Sequence, residues 1–281
     1  MRKSLSFSDL WIFLECPQEF LARLRRKKTK KIKQQVVGDA THAIAEKGEV
    51  TEEIKLKIEK EVALLPEEER EETRKRIEQV TANALEMAEE DGDDDEDTNR
   101  ESVYRWLYEA IGWTLCAKPD KVEIVTVDGR QVLDIMDFKS GSSNEFHDER
   151  SGKTSYRAKR KHKDQLFFFA MVVSKAMGWT GPVRMRIRYW GNKADCEPMW
   201  YSHRRTDEQL REVTAHIRKI EAYFEAQSFP TRPGFWCKDC PLAESCEGNR
   251  DYQDRIRRPA TVPLQQLQVV QPPQALLGAT A

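Results

Sequence analysis

The sequence predicts an α/β domain in which a central mixed sheet is flanked by helices. Short β-rich runs with strand alternation lie at 121–136 and 183–190, and longer apolar or amphipathic runs with helical spacing lie at 164–177 and 206–227. Strands and helical segments that alternate along a chain favour a sheet covered by helices. With 281 residues, the chain is long enough to bury a sizeable core.

The N-terminal segment 7–27 is predicted to be helical, with a serine near its start that can cap it. Pro17 should interrupt this helix because proline cannot donate the interior hydrogen bond. The run 23–33 is the most basic stretch of the chain, and it suits either phosphate contact or a solvated helix end. Another helix is predicted over 36–47.

A helical insertion is predicted at about 50–112. Residues 51–90 have helical spacing broken by Pro66, which indicates two exposed helices. We expect a disordered acidic loop over 91–97 and a packed helix over 99–112, which leads back into the domain.

A predicted β-hairpin forms the centre of the domain. Asp128 and Gly129 lie between two β-rich runs, and this dipeptide is a strong signal for a two-residue hairpin turn. If they are the loop residues, pairing the strands back from the turn places Asp120 directly opposite Asp137. Their side chains then share one face of the sheet.

Two carboxylates at opposed positions repel each other unless a cation lies between them. Lys139 is two residues beyond Asp137, so strand alternation points it to the same face. One interpretation is a Mg²⁺ or Mn²⁺ site formed by Asp120 and Asp137 with an ammonium group beside it. The alternative is a surface salt bridge at the open end of the hairpin.

The segment 142–163 is polar and basic, with Tyr156 among its lysines and arginines, so it could follow a nucleic-acid backbone. The next stretch, 164–177, predicts a buried apolar helix that begins near Gln165.

Residues 183–190 alternate apolar side chains with arginines, which predicts a half-buried strand, and 197–202 is its plausible partner. Thr206 with Gln209 matches a capping box at the start of an amphipathic helix. The proline- and glutamine-rich segment 251–281 predicts a flexible tail.

Three cysteines near the C-terminus, Cys237, Cys240 and Cys246, could supply thiolate ligands to a metal. Zinc and a [4Fe-4S] cluster both prefer four soft ligands, and the spacing does not separate them. Candidates for a fourth ligand are Cys16, Cys116 and Cys196. Disulfides are the alternative, which an intracellular compartment disfavours.

The net charge of −1 conceals an uneven distribution. Residues 86–97 hold nine acids and no base, and the remainder has 47 basic against 39 acidic residues, which suits a polyanion-binding body with an acidic loop. No apolar run of about 18 residues is present, so we expect no spanning helix and a cytoplasmic protein.

Several of these features together resemble the PD-(D/E)XK nuclease superfamily, within it the RecB-like branch, and most closely its CRISPR-associated and phage-type iron–sulfur exonucleases and the AddB nuclease domain. The resemblance covers roughly 4–248. The matching segments are Ser6 to Leu10, Cys16 to Phe20, Gly38 to His42, Pro119-Asp120, Asp137 to Lys139, Gln165 and the C-terminal cysteines. One departure is Phe169, where the family often has tyrosine four residues after the glutamine.

This resemblance implies a restriction-endonuclease-like core over 1–250 whose termini are held together by an iron–sulfur cluster. It implies that Mg²⁺ or Mn²⁺ is bound by His42, Asp120, Asp137 and the Phe138 carbonyl. It implies that Lys139 orients or helps to deprotonate the attacking water, that Gln165 positions the nucleophile or the DNA, and that Cys16 completes a [4Fe-4S] set with Cys237, Cys240 and Cys246. Zinc is the alternative metal for the cysteines.

The implied function is metal-dependent DNA exonuclease activity in recombination or repair. A helicase, recombinase or integrase is an expected partner, because the chain lacks a Gly-x4-Gly-Lys-Ser/Thr motif for unwinding of its own. The alternatives are a non-catalytic DNA-binding scaffold and a CRISPR-adaptation-type partner that trims DNA within a complex.

Overall fold

The computed structural model describes residues 3–24, 33–47, 49–90, 99–100, 102–148, 153–234, 237, 240, 242–250 and 253. In chain order the elements are β1 (Ser4–Ser6), α1 (Phe7–Glu15), α2 (Pro17–Leu24), α3 (Lys33–Lys47), α4 (Glu52–Val62), α5 (Glu67–Glu90), β2 (Asn99–Arg100), β3 (Tyr104–Tyr108), β4 (Trp113–Ala117), β5 (Lys121–Val127), β6 (Arg130–Lys139), β7 (Asn144–Asp148), β8 (Lys153–Arg157), α6 (Arg160–Met177), β9 (Val183–Tyr189), β10 (Ala194–Asp195), β11 (Met199–Tyr201) and α7 (Thr206–Glu225).

The chain divides into two units, Met1–Arg232 and Pro233–Ala281. All the helices and strands named above belong to the first unit. The prediction of a single domain over 1–250 stays a prediction.

The largest sheet has six strands and is mixed, as predicted. Strand β6 lies inside it, antiparallel to β5 and parallel to β9, and β2, β10 and β11 complete the edges. Because β6 has neighbours on both sides and helices on both faces, six consecutive residues, 132–137, are buried. The central strand therefore carries the predicted site into the interior.

The two faces of this sheet bury different cores. Leu133 and Ile135 point into the main core, to which α1, α6 and α7 contribute. Side chains alternate along a strand, so Phe138 points to the opposite face. There it packs against a second core, formed by α3, α4, α5 and Trp190. Asp134, on the same face of β6 as Phe138, is 1% exposed and pairs with Arg184 and Arg186.

The helix predicted over 99–112 is wrong. This segment forms β2 and β3, and β3 pairs with β4, which also receives β1 in parallel. Tyr104, Trp106 and Tyr108 are half-buried at every second position, and aromatic residues favour a pleated surface. The apolar residues of this segment also fit helical spacing, but pairing with β4 makes it a strand. Among the described residues of the insertion, the helical ones are those of α4 and α5.

The segment 142–163 contains a hairpin, β7 and β8, that the polar sequence did not predict. The following helix begins at Arg160, four residues earlier than expected. The predicted capping box is also wrong: no side chain caps α7. The Tyr201 hydroxyl instead hydrogen bonds with Thr206 and donates to Gln209, so both side chains have another partner.

The breaks at Pro17 and Pro66 are confirmed, since α2 begins at Pro17 and α5 follows Pro66. Ser6 caps α1 in a reciprocal capping box with Asp9. The loop over 91–97, most of the basic run and nearly all of the tail lie outside the described residues. In the described part of the chain, no helix combines the length and apolar character needed to cross a membrane.

Candidate active site

The hairpin between β5 and β6 has the predicted turn. Asp128 and Gly129 have φ angles of 50° and 74°. Positive φ at both central residues is typical of the two-residue hairpin turn whose twist matches that of the flanking strands. The register runs from Val127 opposite Arg130 to Lys121 opposite Met136, so Asp120 precedes the last pair on one strand and Asp137 follows it on the other. The predicted opposition of the two carboxylates is confirmed.

Asp120 is tied to the end of β6 through its backbone. The Phe138 N–H donates a hydrogen bond of 2.6 Å to Asp120 Oδ2. The pKa of Asp120 is raised to about 8, first by burial and then by the negative charge of Asp137, and Lys139 partly opposes both effects. The positive charge of Lys139 therefore does not offset the combined effect of burial and the second carboxylate.

Asp137 is 3% exposed and its Oδ2 atom is buried. This oxygen forms a close ion pair with Lys139 Nζ, but it accepts no hydrogen bond of suitable geometry from any residue that the structure describes. Lys139 lies on the same face as Asp137, as predicted, and pairs in register with Tyr189. The Lys139 ammonium is thus the cation that faces this buried oxygen of Asp137.

His42 approaches the carboxylates from α3. Its Nδ1 atom lies 3.4 Å from Asp120 Oδ1. Adjacent ligands of an octahedral Mg²⁺ ion lie about 3 Å apart, since each metal–oxygen bond is about 2 Å long. Imidazole and carboxylate are both acceptable ligands for Mg²⁺ or Mn²⁺, so the residue types fit the predicted metal.

Within the described parts of the chain, however, no group of three or more histidine, cysteine, aspartate or glutamate side chains is already arranged around a metal position. The structure brings His42, Asp120 and Asp137 into one neighbourhood.

His162, to which the sequence analysis assigned no role, lies beside this site. His162 Nδ1 is 2.6 Å from the Tyr189 hydroxyl, which also accepts the Lys159 N–H at 3.2 Å. Burial and, after it, the positive charge of Lys139 lower the pKa of His162 to about 4, so the imidazole is neutral at pH 7. His162 lies three residues before Gln165 on α6, and this spacing places both on one helix face. This spacing from Gln165 was the signal in the sequence that could have placed His162 near the site.

Lys161 brings a second ammonium group close to the site. Its Nζ atom lies 5.1 Å from the centroid of the Trp11 ring. Burial lowers its pKa, nearby Glu15 opposes the shift, and the charge of Lys139 reinforces it. The basic segment predicted to contact nucleic acid therefore reaches the carboxylates through α6.

The family model that matches this sequence is that of the PD-(D/E)XK nuclease superfamily, over residues 4–247. The chain belongs to this superfamily. A solved structure from Eubacterium rectale with a provisional exonuclease assignment covers 93% of this chain and 91% of its own, at 15% identity and a TM-score of 0.53. SSO0001 covers 89% and 88%, at 11% identity and a TM-score of 0.40, too low to support an argument. No curated protein matches the sequence.

The PD-(D/E)XK signature falls on the hairpin. Pro119 and Asp120 precede β5, and Asp137 and Lys139 end β6, where the geometry brings the three charged residues together. The predicted resemblance to the superfamily is confirmed. The E. rectale structure supports the fold alone, and the likeness to iron–sulfur exonucleases of the RecB-like branch stays a prediction.

The cysteines are divided between the two units. Cys16 is buried at the end of α1, in the first unit, and Cys237, Cys240 and Cys246 lie in the second. The Gly234 N–H points at Cys237 Sγ from 3.3 Å, a contact that would stabilise a thiolate. Three thiolates suit a soft metal or a cluster but leave the set one ligand short.

Proposed function

We propose that this protein is a Mg²⁺- or Mn²⁺-dependent deoxyribonuclease that degrades DNA from an end. The observation that carries this proposal is the opposed pair of Asp120 and Asp137, buried at the end of the central strand with Lys139 beside it. Repulsion within that pair favours either proton uptake or a divalent cation. Superfamily membership supports the cation.

When bound, the metal ion would supply Lewis acidity toward the scissile phosphodiester. Asp120, Asp137, His42 and the Phe138 carbonyl would hold it. The Lys139 ammonium would stabilise negative charge on the phosphate and orient the attacking water. Gln165, on the α6 face that carries His162, would position the water or the DNA.

Lys161 would contact a phosphate next to the cleaved bond. Its ammonium group lies near Lys139, and α6 has no acidic residue in its first turn. Lysine contacts to phosphate provide affinity that does not depend on base sequence. Such binding suits an enzyme that removes successive nucleotides of any sequence.

We also propose that Cys237, Cys240 and Cys246 bind a [4Fe-4S] cluster, with zinc as the alternative metal. Cys16 as the fourth ligand stays a prediction. The thiolate donor set and the N–H directed at Cys237 Sγ support this proposal. Hydrolysis transfers no electron, so the cluster would be structural. Iron, sulfide and zinc content of protein purified without oxygen, with a Cys246→Ser variant as control, tests it. Stoichiometric zinc without sulfide would show that the cysteines bind zinc and not an iron–sulfur cluster.

The nuclease proposal is tested with linear single-stranded and duplex DNA, labelled at either end, in Mn²⁺ or Mg²⁺. Wild type should release labelled products, and Lys139→Ala should lose cleavage while it keeps its fold and its Mn²⁺ binding. Lys175→Ala is the matched control, because Lys175 lies near the other end of α6 and is exposed. It should cleave like wild type.

Covalently closed circular DNA separates the possible activities. An enzyme that needs an end leaves circles intact, whereas cleavage of circles would indicate an endonuclease. Wild type that binds DNA but cuts neither form with either metal would leave a non-catalytic scaffold as the explanation. The helicase, recombinase or integrase partner stays a prediction.

A further inference from the structure

Trp190 follows β9 at the end of the central sheet and is 3% exposed. Its backbone N–H donates a hydrogen bond of 2.9 Å to the Lys139 carbonyl oxygen. Its indole ring stacks on the Phe138 ring, with centroids 5.1 Å apart and an interplanar angle of 17°. The same ring lies 5.0 Å from the imidazole centroid of His42. One residue therefore contacts three members of the proposed site.

These contacts join elements that the metal site needs at a fixed spacing. His42 comes from α3 and Phe138 from β6, and both also reach Asp120, through His42 Nδ1 at 3.4 Å and the Phe138 N–H at 2.6 Å. The Trp190 ring fills the space between the two side chains on the face opposite Asp137. The indole ring thus lies against both the imidazole and the ring at the end of β6.

Trp190 is itself held by the helical insertion. Asn83 on α5 donates a hydrogen bond of 2.7 Å to the Trp190 carbonyl oxygen. The buried residues around the ring come from α3, α5 and the end of the α4 segment: Val36, Val37, Ala40, Val62, Leu65, Ile77, Val80, Ala84 and Met87. Arg188 also contacts the Met87 carbonyl oxygen, and Lys193 pairs with Glu86. Helix α5 is thus attached to the sheet next to the site.

We propose that Trp190 is a positioning residue for the metal site, which supports the His42 imidazole and the Phe138 ring from behind and so orients two of the groups that would bind the cation. Asn83 fixes Trp190 and so connects the helical insertion to catalysis. This inference rests on the proposed nuclease function. It assigns to the α4 and α5 insertion a role in forming the active site.

A purely structural role for Trp190 makes a different prediction. Loss of core packing lowers stability, but the molecules that remain folded bind metal normally. A positioning role lowers metal affinity and kcat in the folded protein and leaves the KM for DNA unchanged, because Trp190 lies behind the site. Trp190→Phe keeps an aromatic face, so it should recover most of the metal affinity that Trp190→Leu loses.

The experiment measures Mn²⁺ binding by electron paramagnetic resonance of the free ion, together with kcat and KM on end-labelled DNA. We expect Trp190→Leu to weaken Mn²⁺ binding about tenfold, the usual effect of removing a residue that orients a ligand. Asn83→Ala should give a smaller change in the same direction. Trp200→Leu is the matched control, because Trp200 on β11 is 53% exposed.

A folded Trp190→Leu variant with wild-type Mn²⁺ affinity would overturn the proposal. If that variant does not fold, Asn83→Ala decides: weakened Mn²⁺ binding supports the proposal and unchanged binding refutes it. Wild type that neither binds Mn²⁺ nor cleaves DNA refutes the nuclease function itself. If wild type binds Mn²⁺ and cleaves DNA, and the Trp190 and Asn83 variants do so equally well, only the role of Trp190 is refuted.

Discussion

The raised pKa of Asp120 predicts how the stability of the metal-free protein depends on pH. The folded-state pKa is about 8, against about 4 for an unfolded aspartate. The neutral carboxyl therefore favours the folded state fully below about pH 4, and this contribution is lost as the pH rises through about 8. Since the Asp120 side chain is only 16% exposed, solvent screens the effect little.

The size of the effect follows from the pKa difference. Between the two pKa values, the free energy of unfolding should fall by on the order of 1 kcal/mol for each pH unit. Over two units, from about pH 5.5 to about pH 7.5, this amounts to roughly 2 kcal/mol. Asp120→Asn should remove this fall, because the amide cannot ionise but can still accept the Phe138 N–H.

The assay is urea unfolding in EDTA at both pH values, followed by tryptophan fluorescence, for wild type and Asp120→Asn. The difference between the two proteins cancels the titration of other groups. Saturating Mg²⁺ should restore wild-type stability most at the higher pH, because the cation competes with the proton for Asp120. Parallel pH dependence of wild type and Asp120→Asn in EDTA would refute the raised pKa of Asp120.

Three further substitutions test other parts of the structure. Gly191→Ala should lower the free energy of unfolding in urea by about 1–3 kcal/mol, because a Cβ atom there would collide with the Gly141 carbonyl oxygen. Gly141→Ala is the control and should be neutral, because a Cβ atom at that position meets nothing within 4 Å. Lys161→Ala should weaken DNA binding and lower its salt slope by about 1 in fluorescence anisotropy, an effect that Lys175→Ala should lack. Asp134→Asn should cost about 3 kcal/mol by urea unfolding, because it leaves two arginines without their buried partner, and unchanged stability would contradict that role.

The hairpin was predictable because its information is local. Asp128 and Gly129 set the turn, the turn sets the register, and the register places Asp120 opposite Asp137. Strand alternation then gives the direction of Lys139. No contact with distant parts of the chain is needed for these steps, so the sequence was sufficient for the carboxylate pair.

The segment around Trp106 shows where local information fails. Its apolar residues fit helical spacing, but pairing with β4 makes it a strand. The roles of Trp190 and His162 were equally hidden, because each depends on which residues the fold brings next to it. Trp190 ended a predicted strand, and nothing in its own neighbourhood indicated that His42, from a distant helix, would lie against its ring.

The two-residue turn at Asp128 and Gly129 makes the active site depend on the length of the hairpin as well as on its composition. Deleting one residue from β6 would exchange the faces of every residue beyond it, so Asp137 would point into the helical core and Phe138 toward Asp120. Deleting two would restore the faces but shift the carboxylate along the strand by about 7 Å. Loss of a single codon in this hairpin would thus inactivate the enzyme while its gene still encoded every residue of the signature.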